Sequence, residues 1–223
     1  GGKEMILDFI SNKMVLSVLA VLLIIALYNN GIIGNKGKND RLELEIKHVP
    51  IKEPVVEIKM AAGGKMVFEL LPEYAPETVQ NFVNLAHAGF YDGLTFHRIV
   101  EDFMIQGGDP KGNGTGRSYK TVKGEFAENG FEQNTLKHTK GVISMARDSH
   151  PDSASCQFFI VHGDEVPSLD GSYAAFGRLV AGEETLDRIA QTPVKNNPDM
   201  KEVSRPREPV IIEKITVYER SEY

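Results

Sequence analysis

Between Phe96 and Asp109 the chain reads Phe-His-Arg-Ile-Val-Glu-Asp-Phe-Met-Ile-Gln-Gly-Gly-Asp, placing one cation, Arg98, shortly before Phe103, Met104 and the amide of Gln106. Residues two apart on a strand share a face. Met104 and Gln106 therefore point the same way, and a chain reversal near Glu101 and Asp102 brings Arg98 alongside them. The product is an apolar cup with one fixed positive charge and one neutral donor–acceptor. It holds no nucleophile, no acid–base pair and no metal cluster. Such a cup suits a substrate whose bonds are rotated, not broken.

Other constellations offer less. Gly112-Asn113-Gly114-Thr115-Gly116 has the look of a phosphate loop, but the Gly-Lys-Ser/Thr ending is absent and no helical pattern follows. A loop requiring positive φ or close backbone approach is the better reading. The single cysteine, Cys156, precedes Gln157-Phe158-Phe159 and reads as packed rather than nucleophilic. The histidines lack metal-ligand spacing, so no metal site and no cofactor is expected. Phe96 and Phe176 read as core. Phe103, Met104 and Phe159 are better candidates for a pocket, because each neighbours a polar residue. Arg98 taken alone has the ordinary fate of an arginine, a surface ion pair.

The elements that must position these residues follow from patterning. The chain has 223 residues and a formal net charge of −6, with no basic run to meet a nucleic acid. From Val15 to Leu27 every residue but Ser17 is apolar. With no small-x-small cleavage site after it, an uncleaved signal anchor over residues 1–28 is expected, a buried core helix being the alternative. The anchor implies a membrane attachment, and basic residues on both flanks leave its orientation open. Residues 29–53 read as a linker in which Leu42, Leu44 and Ile46 alternate with charged residues. The globular domain spans 54–220. Strands are expected at Val55–Met60, Lys65–Leu71, Thr95–Val100, Phe103–Gly107, Val142–Ala146, Phe158–Val161, Ala174–Leu179 and Val210–Tyr218. Helices are expected from Pro76 to Gly89, with Val79, Phe82, Val83 and Ala86 on one stripe, and from Glu183 to Gln191. Many short strands with two helices predict a mainly β domain, a closed antiparallel barrel with its ends plugged by helices. The polar stretch from Asn196 to Arg207 has no assigned role.

Several blocks in order resemble the cyclophilin family of peptidyl-prolyl cis-trans isomerases: Phe96-His97-Arg98, Phe103 to Asp109, Asn113 to Gly116, Gly141 to Ala146, Gln157 to Ile160, Leu169-Asp170-Gly171 and Phe176-Gly177. The resemblance runs from about Pro54 to Glu219. It implies an eight-stranded antiparallel β-barrel capped by two α-helices, acting on proline-containing polypeptides without a cofactor. It implies that Arg98 is catalytic with Gln106 and Phe103, and that Phe103, Met104, Phe159 and Leu169 form the proline pocket. Gln106 and Gln157 then bind the substrate backbone, while Gly114, Ala146 and Arg147 line the neighbouring groove. Ser168 stands where many members carry tryptophan, so weak cyclosporin binding is expected. Tyr173 replaces a frequent histidine at the pocket rim, and Arg147 a frequent asparagine. Ser168 and Tyr173 together look like bacterial members; taken with the apolar anchor, a monomeric, membrane-anchored protein, extracytoplasmic in a bacterium, is the expectation. A non-catalytic proline-binding module using the same groove is the rival.

Overall fold

The computed structural model describes residues 48–50 and 52–223. The expected anchor, most of the linker and the alternating Leu42–Ile46 stretch lie outside the described residues. Eight strands close into an antiparallel barrel in the order β1-β10-β3-β4-β6-β5-β7-β2. They are β1 (Pro54–Met60), β2 (Lys65–Leu70), β3 (Thr95–Val100), β4 (Met104–Gly107), β5 (Val142–Met145), β6 (Phe158–Val161), β7 (Ala175–Ala181) and β10 (Val210–Glu219). All eight expected strands are present, two with the expected ends and the rest with ends displaced by at most two residues. β8 (Val194–Asn197) and β9 (Glu202–Pro206) pair separately as a hairpin. That hairpin occupies most of the stretch left without a role.

Helix α1 (Pro76–His87) carries proline in its first turn and buries Val79, Phe82, Val83 and Ala86, the expected stripe. Ala75 offers no capping side chain, and the cap comes from far along the chain instead. The buried Glu125 carboxylate accepts from the N–H of Glu77 at 3.0 Å and of Thr78 at 2.8 Å, and from the Thr78 hydroxyl at 2.6 Å. A carboxylate at a helix amino terminus satisfies otherwise unpartnered donors and meets the positive end of the dipole. Gly89, at φ +66°, ends the helix in the left-handed region that glycine adopts without steric penalty. Helix α2 (Glu183–Ala190) begins with Glu183 and Glu184 in its first turn and buries Leu186 and Ile189. Phe82, Leu85, Leu186 and Ile189 join one apolar cluster with barrel residues such as Ile58, Phe68, Phe158 and Phe176. Both helices thus contribute side chains to the barrel core.

Candidate active site

The site is built on the outer face of β3, β4, β6 and β5, one residue away from the core. Inside the barrel, Ile99 pairs with Ile105, Ile105 with Ile160, and Ile160 with Ile143. All four are essentially fully buried. The adjacent row faces outward: Arg98 pairs with Gln106, Gln106 with Phe159, and Phe159 with Ser144. Strict alternation from Phe96, itself buried in the core, would turn Arg98 inward. A register shift between Phe96 and Arg98 opposite Gly107 and Gln106 supplies one extra residue. Such a bulge re-aims the side chains that follow. Phe96 and Ile99 consequently both face the core, three residues apart, and Arg98 emerges outside. The side chain of His97 at the bulge is buried without a hydrogen-bond partner, and burial lowers its pKa below the ordinary imidazole value.

The reversal between β3 and β4 occurs where the sequence places it. Asp102 sits at φ +59°, the left-handed region that aspartate tolerates better than most residues. His162 pins this turn. Its Nδ1 accepts from the Asp102 N–H at 3.0 Å, while the backbone N–H groups of His162 and Gly163 donate to the Phe103 carbonyl at 2.9 and 3.2 Å. Phe103 is thereby held at the cup, with the Arg98 guanidinium carbon 5.9 Å from its ring centroid.

A directed chain of hydrogen bonds crosses the site. Arg98 Nη1 donates to Gln106 Oε1 at 3.3 Å, and Gln106 Nε2 donates to Gln157 Oε1 at 3.0 Å. Gln157 Nε2 then donates to the carbonyls of Gly114 and Gly116 at 3.0 and 2.9 Å. Each amide accepts at oxygen and donates at nitrogen, so the links polarise one another in one direction. The loop at the far end is a cage around Asp109, as its resemblance to a phosphate loop did not reveal. The Asp109 carboxylate accepts from the N–H groups of Lys111, Asn113 and Gly114 at 2.7, 3.0 and 2.5 Å. The protein itself supplies the anion that these donors hold. Gly114 lies at φ +88°, in line with the positive φ expected of this loop.

Arg98, Phe103, Met104, Gln106, Gly114, Ala146, Arg147, Gln157, Phe159, Leu169 and Tyr173 all line one cavity of ≈ 490 Å³. Every sequence-predicted site residue is therefore brought together. Met104, Phe159 and Leu169 are each at most 9 % exposed and form the apolar floor. Tyr173 meets Phe159 edge-on, with ring centroids 5.6 Å apart. Arg147 is spread between the rings of Phe126 and Tyr173, its guanidinium carbon 5.0 and 4.9 Å from their centroids. Its Nε and Nη2 donate to the Ser172 carbonyl. Ser168 is exposed on the turn before Leu169.

Behind Phe159 lies an arrangement that resembles a hydrolytic triad. His138 Nδ1 is 3.1 Å from Asp170 Oδ1, and its Nε2 is 3.0 Å from the Ser144 hydroxyl. Burial pushes the Asp170 carboxyl up, but the hydrogen bonds it accepts from the His138 backbone and ring and from Lys137 outweigh that, holding it below the ordinary range. Ionised Asp170 takes the Nδ1–H, so Nε2 accepts from Ser144. Ser144 is wholly buried, which denies any substrate access to its hydroxyl. The imidazole instead stacks on Phe159, 5.9 Å between centroids and 18° between planes, and backs the pocket floor. Cys156 is equally inert: burial pushes its thiol up to about 12. Among the described residues no group of three or more histidine, cysteine, aspartate or glutamate side chains could hold a metal ion.

One hairpin brings to the site two residues that gave no signal in the sequence. The β8–β9 hairpin lies beside β3, and Glu202 meets the Arg98 guanidinium along one edge: Nε to Oε1 at 2.5 Å and Nη2 to Oε2 at 3.1 Å. Met200, at the hairpin tip, lines the same cavity with its methyl packed on Gly114. An isolated Glu in a polar stretch carries no periodicity, and only the fold brings it to Arg98.

Comparison with known proteins agrees with this architecture. The family described as cyclophilin type peptidyl-prolyl cis-trans isomerase/CLD matches residues 55–217. The chain is 45% identical over 141 residues to peptidyl-prolyl cis-trans isomerase B of Bacillus subtilis, covering 63% of this chain and 90% of that protein. It is 44% identical over 156 residues to peptidyl-prolyl cis-trans isomerase-like 2 of Cryptococcus neoformans, covering 69% of this chain and 26% of that protein. The chain thus spans about a quarter of the Cryptococcus relative's length. A crystal structure of a Cryptosporidium parvum cyclophilin type peptidyl-prolyl cis-trans isomerase in the presence of the dipeptide Ala-Pro superposes with a TM-score of 0.64 at 32% identity, covering 74% of this chain and 99% of that one. The chain belongs to the cyclophilin-type peptidyl-prolyl cis-trans isomerase family.

Proposed function

We propose that this protein accelerates cis–trans rotation about X–Pro bonds in proline-containing polypeptides. One observation carries the reading: the guanidinium of Arg98 stands at the rim of an apolar pocket floored by Met104, Phe159 and Leu169. Amide resonance sets a barrier of about 18–20 kcal/mol. As the bond twists, the proline nitrogen becomes pyramidal and its lone pair localises. An arginine N–H directed there donates to an acceptor that the planar ground state lacks, which is differential stabilisation of the transition state. A charge-assisted hydrogen bond contributes about 1.5–3 kcal/mol net, while a ~10⁴-fold acceleration needs about 5.5 kcal/mol. Arg98 therefore acts with other groups. The apolar floor grips the ring and desolvates the amide, and Gln106 keeps one amide hydrogen free for the flanking backbone. Both amide hydrogens of Gln157 are committed to the Gly114 loop, which favours a role in shaping the groove. No proton moves and no group is transferred.

The test is Arg98→Ala, followed by magnetisation exchange between the cis and trans signals of a proline peptide. The exchange rate at equal enzyme should fall by about 10²-fold or more, with an unchanged melting temperature. Full exchange in the variant would sink the mechanism. Peptide binding by wild type without accelerated exchange would favour the recognition module.

The apolar run from Val15 to Leu27 supports a further proposal, that residues 1–28 tether a monomeric isomerase domain to a bacterial membrane on its extracytoplasmic side. Fractionation with protease accessibility tests it; a chain wholly in the soluble fraction refutes the tether, and one degraded only after lysis refutes the sidedness. The exposed Ser168, with no indole to cover a bound macrocycle, supports weak cyclosporin binding, which tight inhibition of the exchange assay would contradict.

A further inference from the structure

We propose that Glu202 is a positioning residue for the isomerisation, clamping one edge of the Arg98 guanidinium so that its remaining N–H groups face the cup. The inference rests on the catalytic reading of Arg98 given above. Guanidinium has five N–H donors in a rigid plane. Glu202 takes the Nε/Nη2 edge through both carboxylate oxygens, and Gln106 takes one hydrogen of Nη1. These two contacts fix the plane from opposite sides; Nη1 also makes a weak contact to Met104 Sδ at 3.9 Å on the cup floor, and the outer hydrogen of Nη2 is left for substrate. The arginine side chain is only 22% exposed, yet it lies on an outer sheet face where, unclamped, it would sample many rotamers.

The clamp is itself supported. Ser204, on the same strand, is fully buried and accepts from Asn197 Nδ2 across the hairpin at 3.2 Å. The hydrogen bonds from Arg98, against the upward push of burial, hold the Glu202 carboxyl below the ordinary carboxylate range. It is therefore ionised at neutral pH. The hairpin does not fill the site: Met200 rests on Gly114 at the groove's edge, and the cavity of ≈ 490 Å³ stays open. An open cup with a clamped arginine is the geometry of a positioning contact, and a plug would have occupied the cup.

The experiment measures kcat and KM for proline-peptide exchange in wild type, Arg98→Ala, Glu202→Ala, Arg98→Lys and the Arg98→Lys/Glu202→Ala double variant. Glu202→Ala should lower kcat about 10-fold with KM within about twofold, because orientation is lost and the pocket is kept. In the lysine background the same substitution should add nothing, since an ammonium has no edge to clamp. A higher or unchanged kcat in Glu202→Ala overturns the proposal, the former marking the hairpin as a latch. An equal loss in both backgrounds overturns it as well, by showing a structural effect. Should Glu202→Ala fail to fold, the Arg98 Nε–H signal of the wild-type protein decides. It should exchange more slowly than a free arginine side chain at the same pH and lose that protection once Glu202 protonates in acid, whereas a signal unprotected at neutral pH overturns the clamp. Activity retained in Arg98→Ala brings down the catalytic reading itself, and activity lost there but kept in Glu202→Ala brings down the clamp alone.

Discussion

Ile99-Ile105-Ile160-Ile143 and Arg98-Gln106-Phe159-Ser144 are neighbouring rows on the same strands, related by a shift of one residue. The first is dry, branched and sealed inside the barrel. The second carries a cation, an amide, an aromatic ring and a hydroxyl backed by His138. One scaffold serves both because side chains alternate across a sheet, so a rigid inner row fixes the spacing of the outer one. The exception is β3, where alternation alone would have put the cation in the core. The bulge at His97 and Arg98 resolves that conflict. Activity here depends on a local irregularity laid over a regular barrel.

That contrast can be broken from either side. The largest effect is expected from the inner row: Ile105→Ala leaves a void among close-packed isoleucines and should cost about 2–5 kcal/mol of stability by urea unfolding. At temperatures where the variant stays folded, its exchange activity should fall far less than that of Arg98→Ala. Equal loss would mean that the rows are not separable. Next comes Gln106→Ala, which removes the link from Arg98 to Gln157 and should reduce kcat/KM about 10-fold, roughly 1.4 kcal/mol. Its midpoint of unfolding should stay near wild type; a large destabilisation would place Gln106 with the core row.

The smallest effect concerns the backing of Phe159. Burial lowers the folded-state pKa of His138, despite Asp170 beside it, from the ordinary value of 6.5. Between that lowered value and 6.5 the unfolded chain binds a proton that the folded one refuses. Stability should consequently be full above about pH 6.5 and decline as the pH falls, by at most ~1.4 kcal/mol per pH unit for this group. His97, lowered for the same reason, acts with the same sign. A urea series from about pH 5 to about pH 7 should show a shallower slope in His138→Gln. An unaltered slope would show that His138 already accepts its proton in the fold.

The barrel was legible because its strands are apolar runs punctuated by turn residues, and because Pro76 and Gly89 mark the limits of α1. The cup was legible because Arg98, Met104 and Gln106 lie on two consecutive strands joined by a tight turn. Three things resisted sequence reading. The bulge needs the register of β4 against β3, which no single-strand pattern records. The Asp109 cage uses backbone donors, which every residue type but proline has, so the glycines alone pointed elsewhere. The β8–β9 hairpin has mostly exposed side chains, and its functional carboxylate is matched to Arg98, 104 residues earlier.

Cys156 bears on the working conditions of this site. It is the chain's only thiol, it is fully buried, and it adjoins Gln157, which holds the groove loop. Oxidants and electrophiles attack the thiolate, and a group titrating near 12 is almost entirely protonated at neutral pH. Sulfenylation, glutathione adducts and intermolecular disulfides are therefore all suppressed at Cys156. Thiol oxidation should thus not separate the activity of the folded site in a reducing solution from that in an oxidising one.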